Sequence, residues 1–456
     1  MTHPDSSNRS TSRDSFVSSL GAIIVTLGSA VGLGNIWKFP ALAGQNGGAA
    51  FVLLYLLCAA GVGLPVMIAE LLLGRIARSN PISAFRKLAP GKAWYLIGVS
   101  GVIAAVVIMA FYTNVAGWVY SYAFKALTGQ LVADQAGAIF EQTVASPASS
   151  LLWQLLALSV AAGVVIMGVS SGIERVLKRL MPLLLVLLII CDVRALSLPG
   201  AQEGLAFLFQ PDLSKLTVSA VLTALGLAFF KLSVGMGTML TYGSYMSDEQ
   251  SVPGTAVRVA LADTAVSMLA GVAIFPAVFA FGQEPTMGPG LLFATIPAVF
   301  AEMPLGSIFT FLFFVLTAIA ATGAMISLLE PPVAFIHETL NWSRPRAGLL
   351  VMVLIAALGL PATLSTNVWG SLQVLGMSFF DFCDYLSSNI LLPVGGIATA
   401  LFVGWVWKRQ RFVAAGSNQG TLHNQRLLGV VHMLLKFVTP VIVTIILLNG
   451  LGIITP

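Results

Sequence analysis

Two apolar stretches long enough to cross a bilayer are interrupted by the same tetrad, V-G-x-G, at Val31–Gly34 and at Val234–Gly237. The first lies in GSAVGLGNIWKFP (Gly28–Pro40), which also carries Asn35 and Lys38. The second lies in FFKLSVGMGTMLTYGSY (Phe229–Tyr245), which carries Lys231. Every backbone N–H and C=O in hydrocarbon needs a partner, so a helix opens there only where protein or a lined cavity receives the freed groups. Paired glycine-interrupted spans in corresponding halves of a chain point to a central binding site between two repeats. The chain is thereby constrained to a helical membrane bundle with two broken members at its middle.

Composition agrees. Of 456 residues, 57% are hydrophobic and 9% charged, against about 25% charged in soluble domains. The net charge of +5 does not indicate nucleic acid, because the basic residues fall in short loops between apolar runs. No small-residue cleavage site precedes the glycines of the first run, so it reads as an uncleaved span. Cys58, Cys191 and Cys383 lack C-x-x-C spacing and support neither a disulfide framework nor a metal site. With about 20 apolar residues per crossing, the sequence predicts eleven spans: Phe16–Phe39, Gly48–Leu73, Trp94–Leu127, Leu151–Gly168, Val176–Ala195, Leu216–Tyr245, Thr255–Gly282, Leu305–Leu340, Ala347–Ser365, Ser371–Trp407 and Leu428–Ile454.

Lys and Arg set the orientation. Of the 23, Lys125, Arg194 and Lys215 fall on the outer side and Lys38, Lys231 and Lys436 within spans, leaving seventeen on the inner side. The N-terminus is expected inside and the C-terminus outside. The expected organisation is an inner tail, 1–15; a first repeat of spans one to five, 16–200; a second of opposite topology, spans six to ten, 201–410; and a loop with the last span, 411–456.

These residues resemble a known family. GSAVGLGNIWKFP followed by NGGAAF (Asn46–Phe51) is similar to the first-span signature of the neurotransmitter:sodium symporters. So are Gly172 and Pro182 in GIERVLKRLMP, RALSLPGA (Arg194–Ala201), the second tetrad with its flanks, AGVAIFPAVFAFG (Ala270–Gly282), ISLLEPPVAF (Ile326–Phe335) and DFCDYLSSNILLP (Asp381–Pro393). The likeness runs in order along nearly the whole chain and resembles the shorter, eleven-span bacterial members with the leucine-transporter fold. It implies an all-α bundle of 5+5 inverted repeats with broken first and sixth helices plus one extra span. It also implies a bacterial-type plasma membrane location, rocking alternating access and amino-acid-like substrates.

The freed N–H groups at Gly32 and Gly34 suit a substrate carboxylate, and carbonyls near Gly28, Ala30 and Val31 suit a cation or an ammonium. By resemblance, Tyr112 would bond the carboxylate and Phe230 would cap the pocket. Ile108, Met236 and Leu328 would form its apolar wall, with Ser29, Ala30, Ser233 and Ala324 beside them. Taken alone, Tyr112 reads better as an interfacial or core tyrosine, and it is the surrounding resemblance that reverses this.

Departures from the family carry more information. Where its sixth span usually offers a sodium-binding hydroxyl, this chain has Lys231. An unpaired charge there costs at least ~2.5–3.5 kcal/mol, so it needs a polar interior and a partner. Asp263 in ALADTAVSMLAG falls where the family has an asparagine ligand of the first sodium; a register one residue different places Ala262 there. Asn35 and the Ala30 carbonyl would complete this cation site. The reading is that the Lys231 ammonium occupies the sodium's place, pairing with Asp263 and with the substrate carboxylate, either as a fixed cation or exchanging a proton. The competing reading is a lysine that snorkels to the interface. The second sodium site, expected from Gly28, Val31, Ala320, Gly323 and Ala324, lacks the family's hydroxyl pair. Thr322 is adjacent, and the small residues also suit close helix packing.

Lys38 and Asp384 would form an outer gate with Tyr112 and Phe230. Arg13, Phe16, Tyr245 and Glu338 would form an inner one, although Arg13 and its neighbours also read as ordinary positive-inside charge. Glu70 and Glu330 read as helix braces, and by resemblance Ser267 falls at the family's chloride-linked position, or Val266 on the register one residue different. GVSSG (Gly168–Gly172) matches G-x-S-x-G, but it lies in a basic loop between spans and lacks the strand-to-helix elbow and His partner of a hydrolase; catalysis is rejected. The expected function is secondary transport of a neutral, hydrophobic amino acid, sodium-independent or proton-linked through Lys231, with no cofactor beyond Na+ or H+ and with the lipid bilayer and substrate as partners. Conventional sodium symport is the alternative, and a transporter-like receptor or sensor is the alternative of another class.

Overall fold

The computed structural model describes residues 14–131, 135–282, 290–301 and 303–454. Arg13 of the expected inner gate and nearly all of the expected 1–15 tail lie outside the described residues. Among the described residues, eight helices are long and apolar enough to cross a bilayer: Ala49–Ala77, Tyr95–Leu127, Pro147–Ile166, Val252–Ala280, Gly306–Thr339, Arg344–Leu364, Phe379–Val406 and Gln425–Gly450. Two further helix pairs bend at a break. Ser19–Ala30 meets Gly34–Gln45 at 53°, and Val169–Leu196 meets Ala201–Phe209 at 119°. The chain is an all-α polytopic membrane protein.

The expected sixth span, Leu216–Tyr245, is split into Val218–Lys231 and Thr238–Gly243, with no regular helix between them. The expected tenth span begins later than the sequence suggests. Gln373–Val374 pairs antiparallel with Met377–Ser378 around Leu375 (φ 52°) and Gly376 (φ 78°), the two positive φ values that a tight two-residue hairpin turn needs. Helix resumes at Phe379, where the Ser378 side chain accepts from the Asp381 N–H.

Four backbone groups freed at the two breaks have partners. The Ser29 carbonyl accepts from Ser233 Oγ at 2.9 Å, which ties one break to the other. Gly32 N–H donates to Asn35 Oδ1 at 3.1 Å and Leu33 N–H to the Tyr112 oxygen at 3.0 Å. Gly235 N–H donates to Glu70 Oε1 at 2.8 Å, so Glu70 braces the second break from the neighbouring helix. Ser233 holds φ 53° without being glycine, a backbone cost of order 1–3 kcal/mol that the surrounding contacts offset.

Thr238–Gly243 can lie against Ala49–Ala77 because each brings a glycine to the contact. A Cβ on Gly74 would lie 2.0 Å from the Leu240 carbonyl oxygen, and one on Gly243 2.2 Å from that of Leu71. Helix backbones approach this closely only across small residues. Gly61, earlier in the same helix, would meet nothing within 4 Å. Gly74→Ala is therefore expected to destabilise the protein by about 1–3 kcal/mol through overpacking, whereas Gly61→Ala gains up to about 1 kcal/mol of helix propensity. Thermal unfolding in detergent checks the pair; shifts of the same sign would defeat the packing account.

Candidate functional site

The two breaks face each other across one small cavity. Its lining contains all twelve pocket residues named from the sequence: Ser29, Ala30, Gly32, Gly34, Ile108, Tyr112, Phe230, Lys231, Ser233, Met236, Ala324 and Leu328. The enclosed space is about 20 Å³, room for about one water. The Gly32 N–H does not reach it as a donor, because Asn35 Oδ1 already accepts from that group. Tyr112 accepts from Leu33 N–H, which leaves the phenol its own hydrogen to donate.

Lys231 ends the half-helix Val218–Lys231 and is buried, as is Asp263 on Val252–Ala280. Their charged atoms pair, Nζ to Oδ2, at 3.1 Å, with both side chains at 0% exposure. The interface-snorkelling reading is thereby set aside, and so is the register that put Ala262 in this place. Two further bonds use the rest of the ammonium: Nζ donates to the Tyr55 oxygen at 3.0 Å and to Ser267 Oγ. Tyr55 in turn donates to Asp263 Oδ2 at 3.1 Å, and Ser267 Oγ donates to the Asp263 carbonyl at 3.1 Å. The Nζ also lies 4.8 Å from the ring centre of Phe39 and 4.4 Å from that of Tyr55, a favourable setting for a desolvated cation. An ammonium has three hydrogens, and all three are used. The expected contact with a substrate carboxylate therefore has no donor left in this arrangement.

Asn35 shows how the site differs from one built for a bare ion. Its Nδ2 lies 2.6 Å from Asp263 Oδ1, 3.1 Å from the Asp263 carbonyl and 2.9 Å from Ser267 Oγ. Its Oδ1 takes the Gly32 N–H. The opposite amide orientation would set oxygen against carboxylate and NH₂ against N–H, so the network fixes this one. The carboxamide thus presents a donor where a metal ligand presents oxygen.

Around the second expected cation site, small residues serve packing. A Cβ on Gly323 would fall 3.0 Å from the Gly28 carbonyl oxygen and 3.3 Å from the Met181 side chain. One on Gly28 would meet Leu177 at 3.0 Å, and one on Gly32 would meet Ala324 Cβ at 2.9 Å. The Thr322 hydroxyl does not supply the missing ligand: it lies 2.7 Å from the Tyr120 hydroxyl and donates to the Ala318 carbonyl at 2.6 Å.

Above the pocket, Lys38 Nζ lies 3.2 Å from Asp384 Oδ1 and 4.4 Å from the Phe230 ring centre. Ser388 Oγ donates to the same Asp384 oxygen at 2.9 Å. Phe230 also lines a second cavity of about 280 Å³ with Lys38 and Asp384, so it is shared by the two spaces. Below the pocket, the Phe16 N–H donates to the Tyr245 carbonyl at 3.0 Å, and its ring meets Tyr242 and Tyr245 edge-on. Tyr245 donates to Glu330 Oε1 at 2.6 Å, and Glu330 also pairs with Arg344. Glu338 Oε2 accepts from the Asn80 N–H at 2.9 Å and from Asn80 Nδ2 at 3.0 Å.

The sequence reading missed Tyr55 and Arg344. Tyr55 carried a signal, being a hydroxyl-bearing ring within an apolar span; Arg344 looked like any loop cation.

The profile of the Sodium:neurotransmitter symporter family matches residues 13–148 and 138–456. A Bacillus subtilis (strain 168) protein described as an uncharacterized sodium-dependent transporter is 38% identical over 446 residues, spanning 96% of this chain and 98% of the relative. One from Haemophilus influenzae, described in the same words, is 36% identical over 453 residues, spanning 96% and 98%. The crystal structure of MhsT in complex with L-phenylalanine superposes with a TM-score of 0.89 at 44% identity, covering 96% of this chain and all of that one.

Breaking a buried ion pair by removing one partner costs about 3–5 kcal/mol, whereas replacing both is often nearly neutral. Asp263→Asn should therefore destabilise strongly, Tyr55→Phe by about 1–3 kcal/mol, and Lys231→Met with Asp263→Leu far less than Asp263→Asn alone. Denaturation in detergent reads all three. A double variant as unstable as Asp263→Asn would mean the pair is not the coupled unit described here.

Proposed function

The chain belongs to the Sodium:neurotransmitter symporter family, and from that premise we propose that it transports a neutral, hydrophobic amino acid by alternating access, with Lys231 in place of the first sodium. The observation that carries this reading is the Lys231 ammonium, held by Asp263, Tyr55 and Ser267 while Asn35 turns its carboxamide nitrogen toward the same carboxylate. A sodium ion at this point would face an ammonium and an amide NH₂, both of which repel it. The close packing of Gly28, Gly323 and Leu177 at the second site supports the same reading.

The apolar wall of Ile108, Met236 and Leu328 suits an aliphatic or aromatic side chain, and MhsT was crystallised with L-phenylalanine. Tyr112 would donate to the substrate carboxylate near Gly32 and Gly34. With about 20 Å³ enclosed, admitting such a side chain requires the half-helices to move apart. The outer latch of Lys38 with Asp384 and the inner contacts of Phe16, Tyr245 and Glu338 would open alternately. Conventional sodium symport is the second reading, favoured by the description of both relatives as sodium-dependent transporters.

Uptake of labelled L-phenylalanine and L-leucine into proteoliposomes decides between them. Uptake should persist when choline replaces sodium, and Lys231→Thr should lose at least about tenfold of it in choline, a barrier change of 1.4 kcal/mol. An imposed proton gradient reports whether the ammonium releases its proton during the cycle. Strict sodium dependence of the unaltered protein would overturn the tethered-cation reading and leave Lys231 and Asp263 as a structural pair.

A further inference from the structure

From Tyr385 to Pro456 the chain contains no Asp or Glu, yet it holds Lys408, Arg409, Arg411, Arg426 and Lys436. Four of these five cations line one cleft of about 670 Å³ between the end of Phe379–Val406 and the start of Gln425–Gly450. No acidic residue lines this cleft, and among the described residues none of the four takes part in a salt bridge. Lys436 instead rests on aromatic faces, 4.3 Å from the ring centre of Trp405 and 5.2 Å from that of Phe437. We propose that this cleft binds the headgroup phosphate of an anionic phospholipid.

Three observations converge on that ligand. Concentrated positive charge without a counter-charge raises its own repulsion, which a bound anion relieves. His432 is 6% exposed and lines the cleft, and its Nε2 is buried without a partner among the described residues; when the ring carries both protons, Nε2–H donates to a phosphate oxygen. Helices Arg409–Gly416 and Gln425–Met433 both begin at the cleft with no side-chain cap, so their first-turn N–H groups add donors of the right sign.

The apolar border distinguishes a lipid from a free phosphate. Val430, Met433, Phe437 and Val441 are all exposed, and at spacings of three and four residues they form one stripe along the last helix. Trp405 is exposed beside it, its ring 5.8 Å from that of Phe437. Cations at the mouth with an apolar stripe leading away match a headgroup and its acyl chain. Such basic pockets between membrane helices are how headgroups are recognised, and aromatic rings of this kind sit at headgroup level.

The test uses the full chain in dodecyl maltoside, titrated with phosphatidylglycerol, phosphatidylcholine or inorganic phosphate, with thermal unfolding as the readout. Phosphatidylglycerol should bind at least about tenfold more tightly than phosphatidylcholine, since each basic residue in the cleft favours an anionic headgroup over a zwitterionic one. Arg409→Gln with Arg426→Gln and Lys436→Gln should bring the two lipids within about twofold. Arg426→Lys should keep the preference, which a loss of mere packing would not predict. Should the triple variant fail to fold, Arg426→Gln alone is compared by native mass spectrometry for retained phosphatidylglycerol and should retain less. Equal stabilisation by both lipids would overturn the proposal, as would a preference that survives the substitutions. A shift reproduced by inorganic phosphate alone would also overturn it, making the cleft a site for free anions.

Discussion

An ammonium and a carboxylate at 0% exposure, 3.1 Å apart in the middle of a membrane bundle, constrain everything around them. Neither charge is tolerable alone at that depth, and the pair is tolerable only because its remaining hydrogen-bonding capacity is filled. Tyr55, Ser267 and Asn35 do that filling from three separate elements: Ala49–Ala77, Val252–Ala280 and the first broken span. The second break begins at Lys231 itself. The ion pair is therefore the point at which two scaffold helices and both broken helices are held in register.

The tetrads that announce the breaks share one V-G-x-G pattern and are used differently. Gly235 and Gly237 have φ values of 80° and 75°, backbone that a side-chain-bearing residue avoids. Gly32 and Gly34 hold no such conformation among the described residues, and there the requirement is space. A Cβ on Gly32 would fall 2.9 Å from the Tyr112 oxygen, and one on Gly34 3.3 Å from the Phe230 ring. One pair of glycines turns the chain; the other lets a ring close over it. A pattern of letters reports that a small residue is required without saying which of these demands requires it.

This marks how far the sequence was legible. The helical membrane class, the location of both breaks and the twelve residues around the cavity followed from hydropathy, glycine placement and family likeness, all of which run along the chain. The reversed Asn35 amide, the Tyr55 bridge and the withdrawal of Thr322 toward Tyr120 did not. Each depends on which way one side chain turns after several helices have packed, and that choice is set by competing hydrogen bonds between residues far apart in sequence. Lys231 was conspicuous from the first because its desolvation demanded a partner. Arg344 was invisible because at a helix start a cation demands nothing, and only the fold shows that it reaches Glu330 and, through it, Tyr245.

The position of the pair also bears on how a gate could be linked to charge. Phe230, which lines both cavities, is the chain neighbour of Lys231, and Lys38, paired with Asp384, lies three residues beyond Asn35. Phe230 and Lys38 are thus close in sequence to Lys231 and Asn35, the groups bonded to Asp263. Moving either half-helix far enough to admit a side chain into the 20 Å³ cavity would strain bonds to a carboxylate that cannot be left unpaired. A diffusible ion can leave such a site and arrive again, delivering the energy of its gradient at each turn. A tethered ammonium cannot, so on the proposed reading it contributes no ion gradient of its own unless it gives up a proton. As a fixed cation it would instead supply a restoring pull between both broken helices, through its bonds to Asp263 and those of Asn35.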